Sequence, residues 1–198
     1  MAPPRLNSAS PWVFDTRVLG RRPGTMRPVR ISAPVTESLG LPVIAVPAGH
    51  EVELDLRLES VSEGVLVSGA ATAEAVGECS RCLIEITQPV RVILRELYAY
   101  PGSTTAATTE DDEIPRLVDD LIDLEPLVRD ELVLALPLVP LCRPDCLGLC
   151  PECGERREEL EEGHSHETLD PRWAALKLKF GTDGPGNADP GSHTPSQN

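Results

Sequence analysis

Six cysteines in three close pairs constrain this sequence more than any other feature. They lie in the segments ECSRC and LCRPDCLGLCPECG, and the pairs are Cys79 and Cys82, Cys142 and Cys146, and Cys150 and Cys153. Thiols this close together either form disulfides or hold a metal ion, and the cellular compartment decides between the two. A spacing of two or three residues lets one tight turn present two thiolates to a tetrahedral ion.

The compartment is indicated by what the chain lacks. Its first residues, MAPPRLNSASPW, contain no apolar run of the length found in a secretory signal, and no later stretch is long enough to cross a bilayer. We therefore expect a soluble, cytoplasmic protein without a membrane partner. Because six cysteines would not persist as disulfides in a reducing cytosol, their clustering favours metal binding or redox chemistry.

Two histidines add to the candidate ligands. In the segment GHSHE, His164 and His166 follow the last cysteine after a short excursion of the chain. Reach along the chain divides the candidates into two sets of four, namely Cys150, Cys153, His164 and His166 in one, and Cys79, Cys82, Cys142 and Cys146 in the other. Four ligands close a zinc site, so we expect one or two structural zinc ions.

A catalytic role for the cysteines is disfavoured. A thioredoxin-like C-x-x-C draws its low thiol pKa from the N-terminus of a following helix, whereas the strand pattern LIEITQPVRVIL follows Cys82. The sequence also has no phosphate-binding Gly-rich loop with Lys, no G-x-S-x-G and no H-E-x-x-H. We expect a protein without enzymatic activity or a small-molecule substrate, with a zinc-dependent enzyme as the weakest alternative.

Strict alternation of apolar and charged residues predicts an antiparallel sheet. The segment EVELDLRLE, residues 51–59, has the pattern of a strand with one buried face, and VLVSGAATAEAV and LIEITQPVRVILRELYAY continue the sheet. After Pro126, apolar residues recur at helical spacing, at Leu127, Val128, Leu132 and Leu136. The predicted fold class is α+β, an antiparallel β-sheet core with one or two packed helices and a C-terminal Cys/His-rich zinc-binding segment at residues 142–166.

The C-terminal segment DPRWAALKLKFG predicts a second short helix. Asp170 is placed to cap it, and one face carries apolar side chains at Trp173, Leu176 and Phe180. We expect residues 182–198, which contain almost nothing apolar, to be a disordered tail. The chain is thus predicted to have a basic N-terminal arm over residues 1–30 and a single α+β domain over residues 31–181.

Charge is distributed unevenly along the chain. The net charge of −14 is the wrong sign for a protein that binds nucleic acid over a broad surface. The N-terminal arm is basic, however, and its candidate RNA-binding residues are Arg17, Arg21, Arg22, Arg27 and Arg30. Acidic runs follow at residues 110–113 and 155–163, which we interpret as a solvated loop and a solvated helix face.

Four segments resemble one family in the order in which they occur. GECSRCLIEI, LVRDELVLALPLVPLC, CLGLCPECG and DPRWAALKLK are similar to the YceD family, the large-ribosomal-RNA-subunit accumulation proteins of bacteria and plastids. The resemblance implies a cytoplasmic, non-enzymatic factor needed for 23S ribosomal RNA accumulation and large-subunit biogenesis. It also places the six cysteines on the family's cysteines, while His164 and His166 stand where many members carry C-x-C.

Two functional hypotheses remain from different classes. In the first, the protein binds the large-subunit ribosomal RNA precursor or the assembling particle, with the basic residues making local phosphate contacts. In the second, it is a zinc-stapled interaction module whose acidic surface escorts a basic ribosomal protein. The salt dependence of binding discriminates between direct phosphate contact and an indirect role.

Overall fold

Alternating strands form one large antiparallel sheet in the computed structural model, which describes residues 6–108, 114–166 and 172. Its strands are β2 (Met26–Pro34), β3 (Leu39–Leu41), β4 (Ile44–Val46), β5 (Glu51–Ser60), β6 (Gly64–Glu78) and β7 (Glu85–Ala99). A second sheet pairs β1 (Val13–Asp15) with β8 (Leu121–Asp123). The helices are α1 (Thr104–Thr108), α2 (Glu125–Ala135) and a 3₁₀ turn at Arg17–Leu19. The predicted α+β class is therefore confirmed within the described residues.

The centre of the large sheet is β6. One edge of β6 pairs with β5 over most of its length and with β4 near its end, and the other edge pairs with β7 from Gly64↔Ala99 to Glu78↔Glu85. Further from the centre, β2 pairs with β5 and β3 pairs with β4. The long hairpin of β6 and β7 therefore runs the full length of the sheet.

The predicted alternation of β5 is confirmed. Its even-numbered side chains from Val52 to Leu58 are buried, and its odd-numbered ones are exposed or half-buried. They belong to the same hydrophobic core as Val128 and Leu132 of α2, and this helix packs against β7 and β3. Full burial of an aliphatic side chain contributes roughly 1.5–3 kcal/mol, so this layer of β-sheet and helix is the main source of stability. On the opposite face the described side chains of β5 and β7 are mostly exposed.

The predicted arm at residues 1–30 is not separate from the domain. Residues 26–34 form β2, whose register with β5 runs from Met26↔Glu59 to Pro34↔Glu51. Arg27 and Arg30 are therefore part of the sheet, and Trp12 is buried in its core. The boundary at residue 30 falls inside a strand, because the backbone of this segment hydrogen-bonds to β5.

Three other expectations concern the C-terminal half. The acidic segment 155–163 is not a helix in the structure but a series of turns with one β-bridge, Leu149↔Arg156. The predicted helix at residues 170–181 and the tail at 182–198 lie outside the described residues, apart from Arg172. No helix in the described part of the chain is long and apolar enough to cross a membrane.

Candidate metal centres

The hairpin of β6 and β7 closes in a six-residue turn that contains the first cysteine pair. In this first knuckle, residues 79–84, the N–H of Cys79 donates to the carbonyl oxygen of Ile84 at 2.8 Å, and the N–H of Leu83 donates to that of Cys79 at 2.9 Å. Leu83 adopts a left-handed conformation, with φ of 59°. The chain thereby reverses direction and brings the thiols of Cys79 and Cys82 to the same side of the turn.

The third cysteine pair lies in a turn of the same construction. In this second knuckle, residues 150–155, the N–H of Cys150 donates to the carbonyl oxygen of Glu155 at 2.7 Å, and the N–H of Gly154 donates to that of Cys150 at 2.9 Å. Gly154, with φ of 74°, occupies the position that Leu83 has in the first knuckle. Two segments far apart in sequence therefore use one backbone geometry to present a C-x-x-C pair.

The second cysteine pair reaches the first knuckle after α2. Pro140 is buried beyond the end of that helix, and its carbonyl oxygen accepts a hydrogen bond from the N–H of Ser80 at 2.8 Å. The guanidinium of Arg81 donates to the carbonyl oxygen of Cys146 at 2.9 Å. The packing of α2 on the sheet and these two bonds bring Cys142 and Cys146 to the first knuckle.

The structure brings all eight predicted ligands together in the predicted grouping. The first set is the four-cysteine cluster of Cys79, Cys82, Cys142 and Cys146, and the second is the Cys/His cluster of Cys150, Cys153, His164 and His166. Within each cluster the ligand atoms all lie within 4.8 Å of one another. Each cluster could therefore hold a metal ion.

Distances in the four-cysteine cluster fit a tetrahedral ion. Four sulfurs bound to zinc at about 2.3 Å stand about 3.8 Å apart. The Sγ atoms of Cys79 and Cys146 are 3.8 Å apart, and those of Cys82 and Cys142 are 3.7 Å apart. Both separations are far beyond the bond length of about 2.0 Å in a disulfide, and all six cysteines are free thiols.

The Cys/His cluster fits less closely. The Sγ of Cys153 lies 3.6 Å from Nε2 of His164, which matches a sulfur and a nitrogen on one zinc ion. The Nε2 atoms of His164 and His166 are only 2.7 Å apart, closer than the roughly 3.3 Å expected for two nitrogens on one ion. The two rings hydrogen-bond to each other, so a metal would have to replace that bond and separate them slightly.

Backbone N–H donors lower the pKa of the first thiol of each knuckle. Burial raises the pKa of Cys79, but backbone N–H groups of Cys142, Cys82 and Arg81 outweigh it and bring the pKa to about 6. The backbone N–H groups of Cys153 and Glu152 lower the pKa of Cys150 to about 6, against the opposing effect of burial. Because the thiolate is the form that binds metal, each cluster has one ligand already ionised at neutral pH.

Two other thiols of the four-cysteine cluster, those of Cys142 and Cys146, hold their protons. Desolvation of its sulfur, followed by hydrogen bonds with the other thiols, raises the pKa of Cys142 to about 12. Desolvation likewise raises the pKa of Cys146. A metal ion that enters the cluster must displace these protons, so its affinity rises with pH.

The clusters differ in their exposure to solvent. In the four-cysteine cluster Cys79, Cys82 and Cys146 are buried, and Ile86, Leu141 and Leu149 pack against them as a small satellite core. In the Cys/His cluster only Cys150 is buried. The first cluster is thus part of the packed interior, whereas the second lies at the surface.

Ion pairs and a backbone hydrogen bond link the two clusters. Arg143, between the ligands of the first cluster, forms ion pairs with Asp145 and with Glu158 of the acidic segment. The N–H of Arg157 donates to the carbonyl oxygen of Gly148 at 3.0 Å. The acidic segment therefore fastens the Cys/His cluster to the four-cysteine cluster, and ion pairs of this kind give no signal in a single sequence.

The predicted RNA-binding arginines differ in whether they form ion pairs. Arg17 pairs with Asp15, Arg21 with Asp120 and Arg30 with Asp55. The guanidinium of Arg21 also lies over the ring of Tyr100, 5.0 Å from its centroid. Arg22 and Arg27 are exposed and make no ion pair with another described residue.

The left-handed residue of the second knuckle provides a test of its geometry. A Cβ added at Gly154 would meet nothing within 4 Å, so a substitution there changes backbone strain without a clash. Gly154→Val should cost about 1–2 kcal/mol and weaken metal binding by the Cys/His cluster roughly 5–30-fold in a cobalt(II) titration. Gly154→Asn is the control, because Asn tolerates this conformation and should retain most of the affinity. Equal affinities for the two variants would contradict the argument.

The fold and the site together define an antiparallel-sheet domain with two clusters of four candidate metal ligands, the four-cysteine cluster and the Cys/His cluster. A family model described as "Large ribosomal RNA subunit accumulation protein YceD" matches residues 67–179, which include all eight candidate ligands. The chain belongs to the YceD family.

Relatives occur in several bacteria. An uncharacterized protein of Mycobacterium tuberculosis is 50% identical over 175 residues, covering 88% of this chain and 84% of the relative. An uncharacterized protein of Mycobacterium leprae is 46% identical over 176 residues, covering 89% and 81%. The uncharacterized protein YlbN of Bacillus subtilis is 29% identical over 124 residues, covering 62% and 68%. No solved structure matches the chain.

Proposed function

We propose that this chain is a cytoplasmic, non-enzymatic ribosome-biogenesis factor required for 23S ribosomal RNA accumulation and large-subunit assembly. The observation that carries the proposal is the family match, whose description names accumulation of the large ribosomal RNA subunit and whose extent includes both clusters. A role in assembly also fits clusters of four ligands. Four protein ligands would fill the coordination positions of a tetrahedral ion, so no open position would remain for a substrate.

Zinc is the metal that best suits the ligands. Thiolate sulfur and imidazole nitrogen in sets of four are the usual donors of structural zinc, and the sulfur separations of 3.7 and 3.8 Å support that ion. In the proposal Cys79, Cys82, Cys142 and Cys146 hold one zinc ion, and Cys150, Cys153, His164 and His166 hold another. Bound zinc would join the hairpin of β6 and β7 to the segment that follows α2.

The sedimentation of tagged protein in a lysate gradient at low magnesium and modest salt tests the assembly role. We expect the protein in fractions that contain large-subunit precursors and not in those of finished ribosomes. Probing precursor and mature ribosomal RNA in each fraction distinguishes the two. Protein that remains at the top of the gradient without RNA or ribosomal protein would contradict the proposal.

A second candidate function is escort of a basic ribosomal protein. The net charge of −14 and the exposed glutamates of the segment 155–162 favour it, since an acidic surface is complementary to a basic client. In the same gradient an escort would sediment slowly, together with one small basic protein. A quantitative mass-spectrometric comparison of the top fractions separates this result from that of free protein.

Direct RNA contact predicts a difference between two pairs of arginines. Arg22→Gln with Arg27→Gln should weaken binding to precursor RNA and reduce the slope of log affinity against log salt by about 1 for each phosphate that is no longer neutralised. Arg17→Gln with Arg30→Gln is the matched control, because both side chains are already paired with carboxylates. Equal losses of affinity in the two double variants, measured by filter binding, would argue against a local phosphate site.

A further inference from the structure

Small side chains form a hollow in the face of the large sheet that lies opposite the hydrophobic core. Two adjoining cavities of about 650 and 490 Å³ share Asp55, Ala70 and Arg91 in their lining. The floor consists of Ser68, Ala70 and Thr72 of β6, and β5 and β7 form the two sides. We call this hollow the sheet trough.

The strand register places arginines on both sides of the sheet trough. Arg57 of β5 is paired with Ser68, and Ser68 is paired with Arg95 of β7, so the three residues lie in one row across the sheet. Because neighbouring strands are about 4.8 Å apart, the two arginines are about 10 Å apart at the backbone, with only a hydroxymethyl group between them. On the same side as Arg95, Arg91 is paired with Thr72. Three long cationic side chains therefore surround a floor of small ones.

The three arginines are available to an anionic ligand. Arg57 and Arg95 are exposed, and neither makes an ion pair with another described residue. Arg91 is also exposed, and its Nη1 donates to Oγ1 of Thr72 at 3.4 Å. A guanidinium group presents a planar fork of N–H donors that matches phosphate oxygens, so arginines without a carboxylate partner suit a phosphate ligand.

The acidic residues of this face are either paired or lie around the arginines. Asp55 forms an ion pair with Arg30 at 3.1 Å, which leaves Glu53 as the unpaired carboxylate among the described lining residues. Glu59 and Glu74 lie one row further along the sheet, at opposite ends of the sheet trough. Three arginines against one unpaired carboxylate leave two positive charges inside the sheet trough. The basic area is local, as the net charge of −14 requires.

The apolar residues of this face favour the RNA backbone over bases or a protein. Within β2, β5, β6 and β7, all of which the structure describes, the only aromatic side chain is Tyr98, which is buried. Sheets that read RNA bases stack them on exposed aromatic side chains, and this sheet offers none. Ile93, at 70% exposed, is a single aliphatic side chain among arginines, whereas the centre of a protein interface is largely apolar.

We propose that the sheet trough binds the phosphate backbone of the large-subunit ribosomal RNA precursor through Arg57, Arg91 and Arg95. This inference rests on the proposed function and adds a site on the sheet to the N-terminal arginines. Because phosphate contacts carry no sequence information, the affinity should depend steeply on salt and weakly on the sequence of the RNA.

Arg57→Gln combined with Arg95→Gln tests the site in full-length, zinc-loaded protein. Filter binding to a transcribed large-subunit ribosomal RNA precursor should show an affinity roughly tenfold lower at low salt. The slope of log affinity against log salt should fall by about 1 for each phosphate contact that is lost. Arg129→Gln with Arg157→Gln makes the same charge change on α2 and in the acidic segment, and it should retain most of the affinity. Equal losses in the two double variants would overturn the proposal.

Asp55→Asn should change the affinity in the opposite direction. The substitution removes a carboxylate from the sheet trough and releases Arg30 from its ion pair, so RNA should bind several-fold more tightly and with a steeper salt dependence. A variant that merely loosened the fold would not gain affinity. Asp130→Asn, at an exposed position of α2, is the matched control. No gain with Asp55→Asn, or the same gain with Asp130→Asn, would refute a phosphate site on the sheet.

Ile93→Ala separates an RNA ligand from a protein ligand. It should leave the RNA affinity nearly unchanged, because backbone phosphates need no apolar anchor. A loss as large as that of the arginine double variant would assign the sheet trough to a protein contact and overturn the proposal.

Sedimentation separates failure of this inference from failure of the proposed function. In the lysate gradient the variant with Arg57→Gln and Arg95→Gln should leave the fractions of large-subunit precursors. If both it and the parent protein remain with the precursors, the sheet trough is not the RNA site, while the assembly role stands. If the parent protein neither sediments with precursors nor binds the transcript, both proposals fail.

Discussion

Cys79→Ser combined with Cys82→Ser is expected to lower the melting temperature by roughly 8–16 °C at a free zinc concentration about 1,000 times the dissociation constant. Ligand binding at that excess contributes about 4.1 kcal/mol, and each kcal/mol shifts the melting temperature of a chain of this length by roughly 2–4 °C. The effect is large because these ligands are buried in the satellite core and close the long hairpin. Differential scanning calorimetry with parallel measurement of bound zinc checks it.

A variant in the same turn provides the control for this experiment. Ser80→Ala leaves both thiols of the first knuckle in place and keeps the backbone N–H that donates to Pro140. Its melting temperature should stay close to that of the parent protein. If the double cysteine variant has lost one equivalent of zinc and still melts at the parental temperature, the four-cysteine cluster has no structural role.

Chelation is expected to remove zinc in two phases of one equivalent each. The fast phase should come from the Cys/His cluster, in which Cys153, His164 and His166 are exposed, and the slow phase from the four-cysteine cluster, in which only Cys142 is exposed. An exposed ion can be attacked directly, whereas a buried one is released only when the surrounding structure opens. A colorimetric chelator in excess, followed over time, measures both rates.

The two phases can be assigned by variants that remove one cluster each. Cys153→Ser should abolish the fast phase and leave the slow one, and Cys82→Ser should do the reverse. Loss of the first equivalent should change the melting temperature much less than loss of the second. A single phase in the parent protein, or a slow phase that disappears in Cys153→Ser, would contradict the assignment.

The parts of the fold that sequence predicted best are those with a strong physical pattern. The strand β5 was predictable because a strand with one buried face must alternate apolar and polar side chains. The helix α2 was predictable because Pro126 is tolerated in a first turn and apolar residues follow at helical spacing. The grouping of ligands was predictable because a short loop limits which side chains can meet.

The N-terminal strand was missed for an equally physical reason. The charges of Arg27 and Arg30 and the nearby prolines suggested an arm, but Val29, Ile31 and Ala33 alternate with them. Proline is compatible with a strand at the edge of a sheet, and β2 pairs only with β5 in the described part of the chain. The charged residues and prolines obscured the alternation of apolar side chains in β2, which becomes evident from its pairing with β5.

The equivalence of the two knuckles could be only half predicted. Gly154 after the second C-x-x-C is a recognisable signal for a left-handed residue, whereas Leu83 at the corresponding position is not. The left-handed conformation costs a residue with a Cβ about 1–2 kcal/mol, so tertiary contacts must impose it. The hairpin and the bonds to the segment after α2 supply those contacts at the first knuckle.

The composition of β6 gives the cysteine-bearing turn that follows it a role in strand alignment. Much of the strand consists of residues such as Gly69, Ala71, Ala73 and Ala75, and small side chains define the pairing of neighbouring strands only weakly. A slip of one residue against β7 would turn the buried side chains outward and would separate Cys79 from its ligand partners. Only the correctly aligned hairpin can complete the four-cysteine cluster. Metal binding would thus add to side-chain burial in stabilising the correct alignment, and it would act at the turn end of the paired strands β6 and β7.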